Sequence, residues 1–336
     1  MCCHKLKLSA LCSVLLLAAQ PLHAGWLFGD NKNPLDHAIA AYNSAEYMPA
    51  AQELQELINK GLSSNNKELA YWYMSKAYRK AGKPDRALPT LQLAVELYPE
   101  SVRLQLSLAE LYLDSGLYPQ AKTLYDAMNA LQSVGDEYLL PINAGRARTY
   151  EALGYLTRAA EYYKKALDME QQFDALVSME YIRCLLKQRK YIDATTAVET
   201  ALAQAPENVE LLFLSAKISY EAGRKEKAAT TLQYALEKAP ERNDVRLTRA
   251  LWLCSMGLYQ QAAQEAEKVY SAEPDQTQAQ WALGLALSGI PGSEHRAMAL
   301  FREASNSITS PFTAKAAGLM LERLSKRQAT TKRQVP

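Results

Sequence analysis

Cysteine is nearly missing from most of this chain. Of its five cysteines, Cys2, Cys3 and Cys12 fall in the opening residues, leaving only Cys184 and Cys254. An exported domain held together by disulfides uses more, so packing alone must hold this one. Histidine is as scarce, with His37 and His295 the only two after residue 24 and far apart in the sequence. There is no H-E-x-x-H, no paired C-x-x-C, no phosphate-cradling glycine loop and no G-x-S-x-G. Those absences remove the usual metal, nucleotide and serine-hydrolase chemistries. The expectation is a non-enzyme without a cofactor or metal. Charge of one sign is missing too: 38 basic residues against 36 acidic give a net charge of +2, which is not the profile of a nucleic-acid binder.

Long apolar runs are absent as well. The longest, Leu8 to Ala19, follows Lys5 and Lys7 and precedes the small residue Ala24. It is too short to span a bilayer and has the architecture of a secretory signal peptide. The sequence therefore predicts a signal at 1–24, cleavage after Ala24, a short segment at 25–30, and a soluble periplasmic or secreted product with no transmembrane segment. Without residues 1–24 the basic and acidic residues balance. The excess of base lies at the end, where Arg323, Lys326, Arg327, Lys332 and Arg333 follow Glu322.

What is present is a repeat. Tyr71, Met74, Ser75, Tyr78, Gly82, Ala87, Leu91, Ala94 and Pro99 recur in kind every 34 residues. The frame fits eight units, starting near Asn31, Glu68, Val102, Leu140, Ala175, Val209, Asn243 and Thr277. One slot early in the second half of each unit reads Ala50, Ala87, Ala121, Ala159, Ala194, Ala228, Ala262 and Ala297. The slot facing it is small in seven units: Ala38, Ser75, Ala109, Ala147, Ala216, Ala250 and Gly284, with Ile182 the exception. Small residues on both sides predict two helices crossing closely. Gly82, Gly116, Gly154, Gly223 and Gly257 mark the turn between them, and Pro99, Pro206, Pro240 and Pro274 stop the second helix.

These residues and their period resemble the tetratricopeptide repeat. The resemblance covers roughly residues 31–310 and implies an all-α, right-handed solenoid of about eight helix pairs. Units one to three would occupy 31–133 and units four to eight 134–310. Units three and four start 38 residues apart, which predicts an insertion or hinge near 131–140. An amphipathic helix at 311–327 would cap the last apolar face, and 328–336 would be a disordered basic tail. Cys184 and Cys254, two units apart, are expected to be free thiols.

In this family the first helix of each unit lines a concave groove. Counted from each unit's start, slots 4, 7, 8 and 11 point to the core, and slots 2, 5, 9 and 12 lie about 130° round the helix. Slot 5 is apolar throughout: Leu35, Trp72, Leu106, Ala144, Met179, Phe213, Leu247 and Trp281. Two readings stay open. Either these side chains pack between neighbouring first helices, or they floor a binding groove anchored by Trp72, Met179, Phe213 and Trp281. Slot 9 holds Lys76, with Glu110 facing it in the next unit, and then Arg148, Arg183 and Lys217 in series. Those three predict a track for an acidic partner segment. Some relatives clamp a chaperone's terminal carboxylate with Lys and Asn at slots 5 and 9 of their first units. Here those slots hold Leu35, Ile39, Trp72 and Lys76, so that pattern is absent. The resemblance implies a scaffold that binds protein segments, with envelope assembly, pili or polysaccharide export as its range. It leaves open peripheral association with the envelope. An anionic glycan in the groove is the alternative ligand.

Overall fold

A computed structural model describes residues 33–130, 134–169 and 173–334 of the chain. Among them every regular element is an α-helix. The expected signal peptide, the segment at 25–30 and Cys2, Cys3 and Cys12 lie outside the described residues. The chain divides into two compact bodies between Gly82 and Lys83. The first holds α1 (Asp36–Asn43), α2 (Tyr47–Lys60) and α3 (Ser64–Lys80). The second begins with α4 (Pro84–Leu97), α5 (Val102–Asp114), α6 (Tyr118–Ala130), α7 (Asp136–Ala152) and α8 (Leu156–Asp168). It continues through α9 (Ala175–Lys187), α10 (Tyr191–Gln204), α11 (Val209–Glu221) and α12 (Lys225–Lys238). Next come α13 (Asn243–Ser255), α14 (Tyr259–Ala272), α15 (Thr277–Ser288), α16 (Glu294–Ser305) and α17 (Pro311–Gln334). Odd and even helices through α16 are the first and second helices of successive repeats, and the architecture is an α-solenoid.

Helix starts follow the repeat frame where a cap residue stands in front. Ser101, Asp174 and Asn208 each accept the backbone N–H three residues on, at 3.3, 2.9 and 3.1 Å, so α5, α9 and α11 begin at the predicted residues. Two first helices start earlier than expected. α3 opens at Ser64 rather than Glu68, and α7 at Asp136 rather than Leu140. Four residues are about one helical turn, so the longer spacing before the fourth repeat is taken up as an added turn. Of the stretch 131–140, residues 131–133 are outside the described part, and Asp136–Leu140 is helix. Pro141 lies within α7, one turn past its first residues, where it removes one intrahelical hydrogen bond.

The close crossing is present in the repeats whose two helices lie in one body. There the second-helix alanines are fully buried, as are Ala38, Ala109, Ala147, Ile182, Ala216 and Ala250 opposite them. Ser75 and Ala87 are each fully buried as well. In the eighth repeat a Cβ on Gly284 would come within 2.9 Å of the Phe301 ring, so only glycine fits there. Between first and second helices the chain turns through a left-handed residue, including all five predicted glycines (φ from 68° to 83°). Ala45 and Arg189 occupy the same slot at φ 64° and 58°, without glycine's freedom.

At the C-terminus α17 packs on α16, burying Ala314, Ala317 and Leu324. The helix continues to Gln334 rather than ending at Arg327, which corrects the expected disordered tail as far as Gln334. Polarity had suggested disorder, but 328–334 contains no glycine or proline to stop a helix.

Candidate interaction face

Within each body the repeat places slot 5 of the first helices on one face, and burial there is uneven. Leu35, Leu106, Ala144 and Leu247 are buried, whereas Trp72, Met179, Phe213 and Trp281 are half-buried. Size decides the difference, because a large side chain outgrows the space between neighbouring helices. In the first body, Lys76 Nζ lies 4.2 Å from the Trp72 ring centroid and 5.7 Å from that of Tyr42. Trp72 and Lys76 are thus engaged with each other through a cation–π contact. Trp281 leans on Phe301 of α16, ring centroids 5.5 Å apart, so part of it belongs to the core.

Two of the three cations in the expected track have acidic partners within the protein. Arg148 Nε donates to both Glu180 oxygens at 2.9 Å. Burial would lower the Arg148 pKa, but the hydrogen bond and charge of Glu180 outweigh it and raise it. Arg183 lies 3.8 Å from Glu210, and Glu210 also takes Arg242 at 2.7 Å. Arg242 holds the Asp244 carboxyl below the usual carboxylate range by hydrogen bonding to it. Lys187 reaches Glu151 at 2.7 Å. These pairs link α7 to α9, α9 to α11 and α11 to α13, as rungs between first helices. Comparing cations only with acids of the same slot had hidden them, since Glu180 occupies slot 6 and Glu210 slot 2. Lys217 alone of the three has no ion pair with a described residue, and it is exposed.

From α11 onward slots 5 and 9 of the same face are apolar apart from Lys217. Phe213 packs against Leu212, Ala216, Leu232 and Val245. Leu251, Trp281 and Leu285 are half-buried on the cluster around Leu247, Ala250 and Ala282. Trp252 was missed by slot reasoning because it stands one place past slot 9. It stacks on Tyr220 with centroids 4.4 Å apart and planes 11° apart, and Tyr220 donates to Ser255 Oγ at 3.0 Å. An aromatic bridge therefore joins α11 to α13. Two core-facing slot-7 positions also hold arginine. Arg146 pairs with Asp126 at 2.8 Å and lies over the Tyr162 ring, and Arg249 reaches Glu265 at 3.2 Å. Both guanidiniums are ion-paired inside the protein, although Arg146 Nε is buried without a hydrogen-bond partner among the described residues.

Among the described residues the other reactive groups show no convergence. His37 Nδ1 sits 2.8 Å from Glu53 on the exposed surface, and that hydrogen bond raises its pKa. Cys184 and Cys254 are buried free thiols, and burial pushes the Cys254 thiol up to about 11.

The helix-pair geometry agrees with sequence comparison. One tetratricopeptide-repeat family model matches residues 78–138 and 185–251, and a second matches 140–173. The tetratricopeptide-repeat family is thereby supported. Among solved structures, the C-terminal part of a tetratricopeptide-repeat protein from Cytophaga hutchinsonii is similar at TM-score 0.55 and 14% identity. That alignment covers 79% of this chain and 98% of the other. A tetratricopeptide-repeat protein from Parabacteroides merdae gives 0.54 and 14%, covering 75% and 97%. Yeast Tom70 gives 0.54 and 17%, covering 91% and 69%. At such identities the likeness concerns the fold. No curated protein matches the chain. The tetratricopeptide scaffold is suited to protein–protein interaction.

Proposed function

We propose that this chain is an exported scaffold that holds an extended protein segment along the first helices of repeats six to eight, in the service of envelope assembly. The observation that carries the reading is the change of character along one face. Through α7 and α9 the charges are paired with one another, whereas from α11 onward Phe213, Leu251, Trp281 and Leu285 stay half-exposed beside the unpaired Lys217. Half-buried aromatics next to a solitary cation suit a segment with apolar side chains and one carboxylate. The anionic-glycan alternative loses ground, because two of the three cations it needs already have partners. Export rests on the architecture of residues 1–24.

A photo-crosslinking residue at position 251, with one at the exposed Ile192 as control, tests the face in the producing cell. A discrete protein adduct at 251 that Lys217→Glu weakens is expected. Identical adducts at both positions would sink the reading. The same preparation gives an intact mass, expected to lack residues 1–24.

A further inference from the structure

We propose that α17 docks this protein onto an anionic lipid surface. Beyond the side that covers α16, this helix has a second apolar side facing solvent. Phe312 is 87% exposed and Leu319 62%, and Ile308, just before the helix, is 91% exposed. Phe312 and Leu319 are seven residues apart, two turns along one stripe. At 100° per residue that stripe lies roughly opposite Ala317 and Leu324, which are buried.

Charge identifies the occupant. Lys315, Arg323 and Lys326 flank the exposed stripe, and Glu322 is the only acid in the helix. Lys326 pairs with Glu322 at 2.6 Å, whereas Lys315 and Arg323 have no ion pair with a described residue. The helix sequence continues with Arg327, Lys332 and Arg333, giving six basic residues against one acid, while the rest of the chain holds 32 against 35. A second copy would bring like charges together along this stripe, which disfavours self-association. A protruding apolar ridge edged by cations lacks the concavity that grips a peptide, but it suits partial insertion among anionic headgroups. Each cation near such a surface is worth about fivefold in binding.

The test is co-sedimentation of the full chain with vesicles of seven parts phosphatidylethanolamine and phosphatidylcholine to three of phosphatidylglycerol. Vesicles without the anionic lipid serve as control. Phe312→Ser/Leu319→Ser leaves folding intact, since both side chains are exposed, and any contribution from residues 1–24 is common to both proteins. The parent is expected to bind the anionic vesicles, with binding that falls as salt rises, and the double variant at least about tenfold more weakly. Arg323→Gln/Lys326→Gln should flatten the salt dependence. No binding by the parent, or equal binding by the Phe312/Leu319 variant, overturns the proposal. Loss of capture of an acidic protein, without any change in vesicle binding, would assign the ridge to a protein partner and also overturn it. Crosslinking at position 251 is independent of this outcome, so the face on α11–α15 and the ridge on α17 can fail separately.

Discussion

Arg189 occupies the left-handed turn between α9 and α10 at φ 58°, where six other repeats place glycine. Its Cβ meets the following carbonyl in that conformation, at a cost of roughly 1–2 kcal/mol, part of which glycine returns as unfolded-chain entropy. Arg189→Gly should therefore stabilise the fold by about 0.5–1 kcal/mol in urea unfolding, and Gly223→Ala should destabilise it by a similar amount. No gain for Arg189→Gly would mean that the arginine side chain compensates the strain. The glycines were legible because the turn demands them, and the alanines because the crossing leaves no room for more. Arginine at slot 7 was not legible. Whether a buried guanidinium is tolerated depends on Asp126 and Glu265, which come from a different helix in each case.

At the scale of the helix, the regular starts were readable because Ser, Asp and Asn caps announce them. The added turns of α3 and α7 were not, since a spacing of three or four extra residues fits a loop as well as a turn of helix. The face shows the same limit. Slot counting gives the face of each first helix that a residue occupies, but it cannot tell which acid reaches across to which cation. The pairing separates two arginines from the lysine that resembles them in sequence. Arg148→Ser leaves Glu180 without its partner between α7 and α9, and should lower stability by up to about 1 kcal/mol, less at high salt. Lys217→Ser should stay within about 0.5 kcal/mol of the parent. Chemical denaturation of both variants at low and high salt checks this, and an equal response would show that the Arg148 pair contributes nothing.

Across the whole second body, repeats six, seven and eight begin at Val209, Asn243 and Thr277 with identical spacing, and each buries the same alanine pair or its glycine equivalent. Nearest-neighbour packing of this kind makes stability a sum over repeats and their junctions. Removing residues 209–242 should therefore leave a folded protein. Asn208 would still stand in front of a first helix, and Asp244, at slot 2, would take the place of Glu210 opposite Arg183. Circular dichroism should show unchanged helicity per residue and a modestly lower melting temperature. Removing only 209–225 should unfold the C-terminal part, because it leaves an orphaned second helix. Collapse of both deletions alike would contradict independent repeats.

The buried alanine in every period has a consequence for heredity. Because the packing pair recurs at the same place in each period, a gene for this protein can gain or lose one whole period among the regular repeats by slippage and still encode a folding chain. The reach of the first-helix face is then open to selection as a copy number, while the chemistry within each copy drifts on its own.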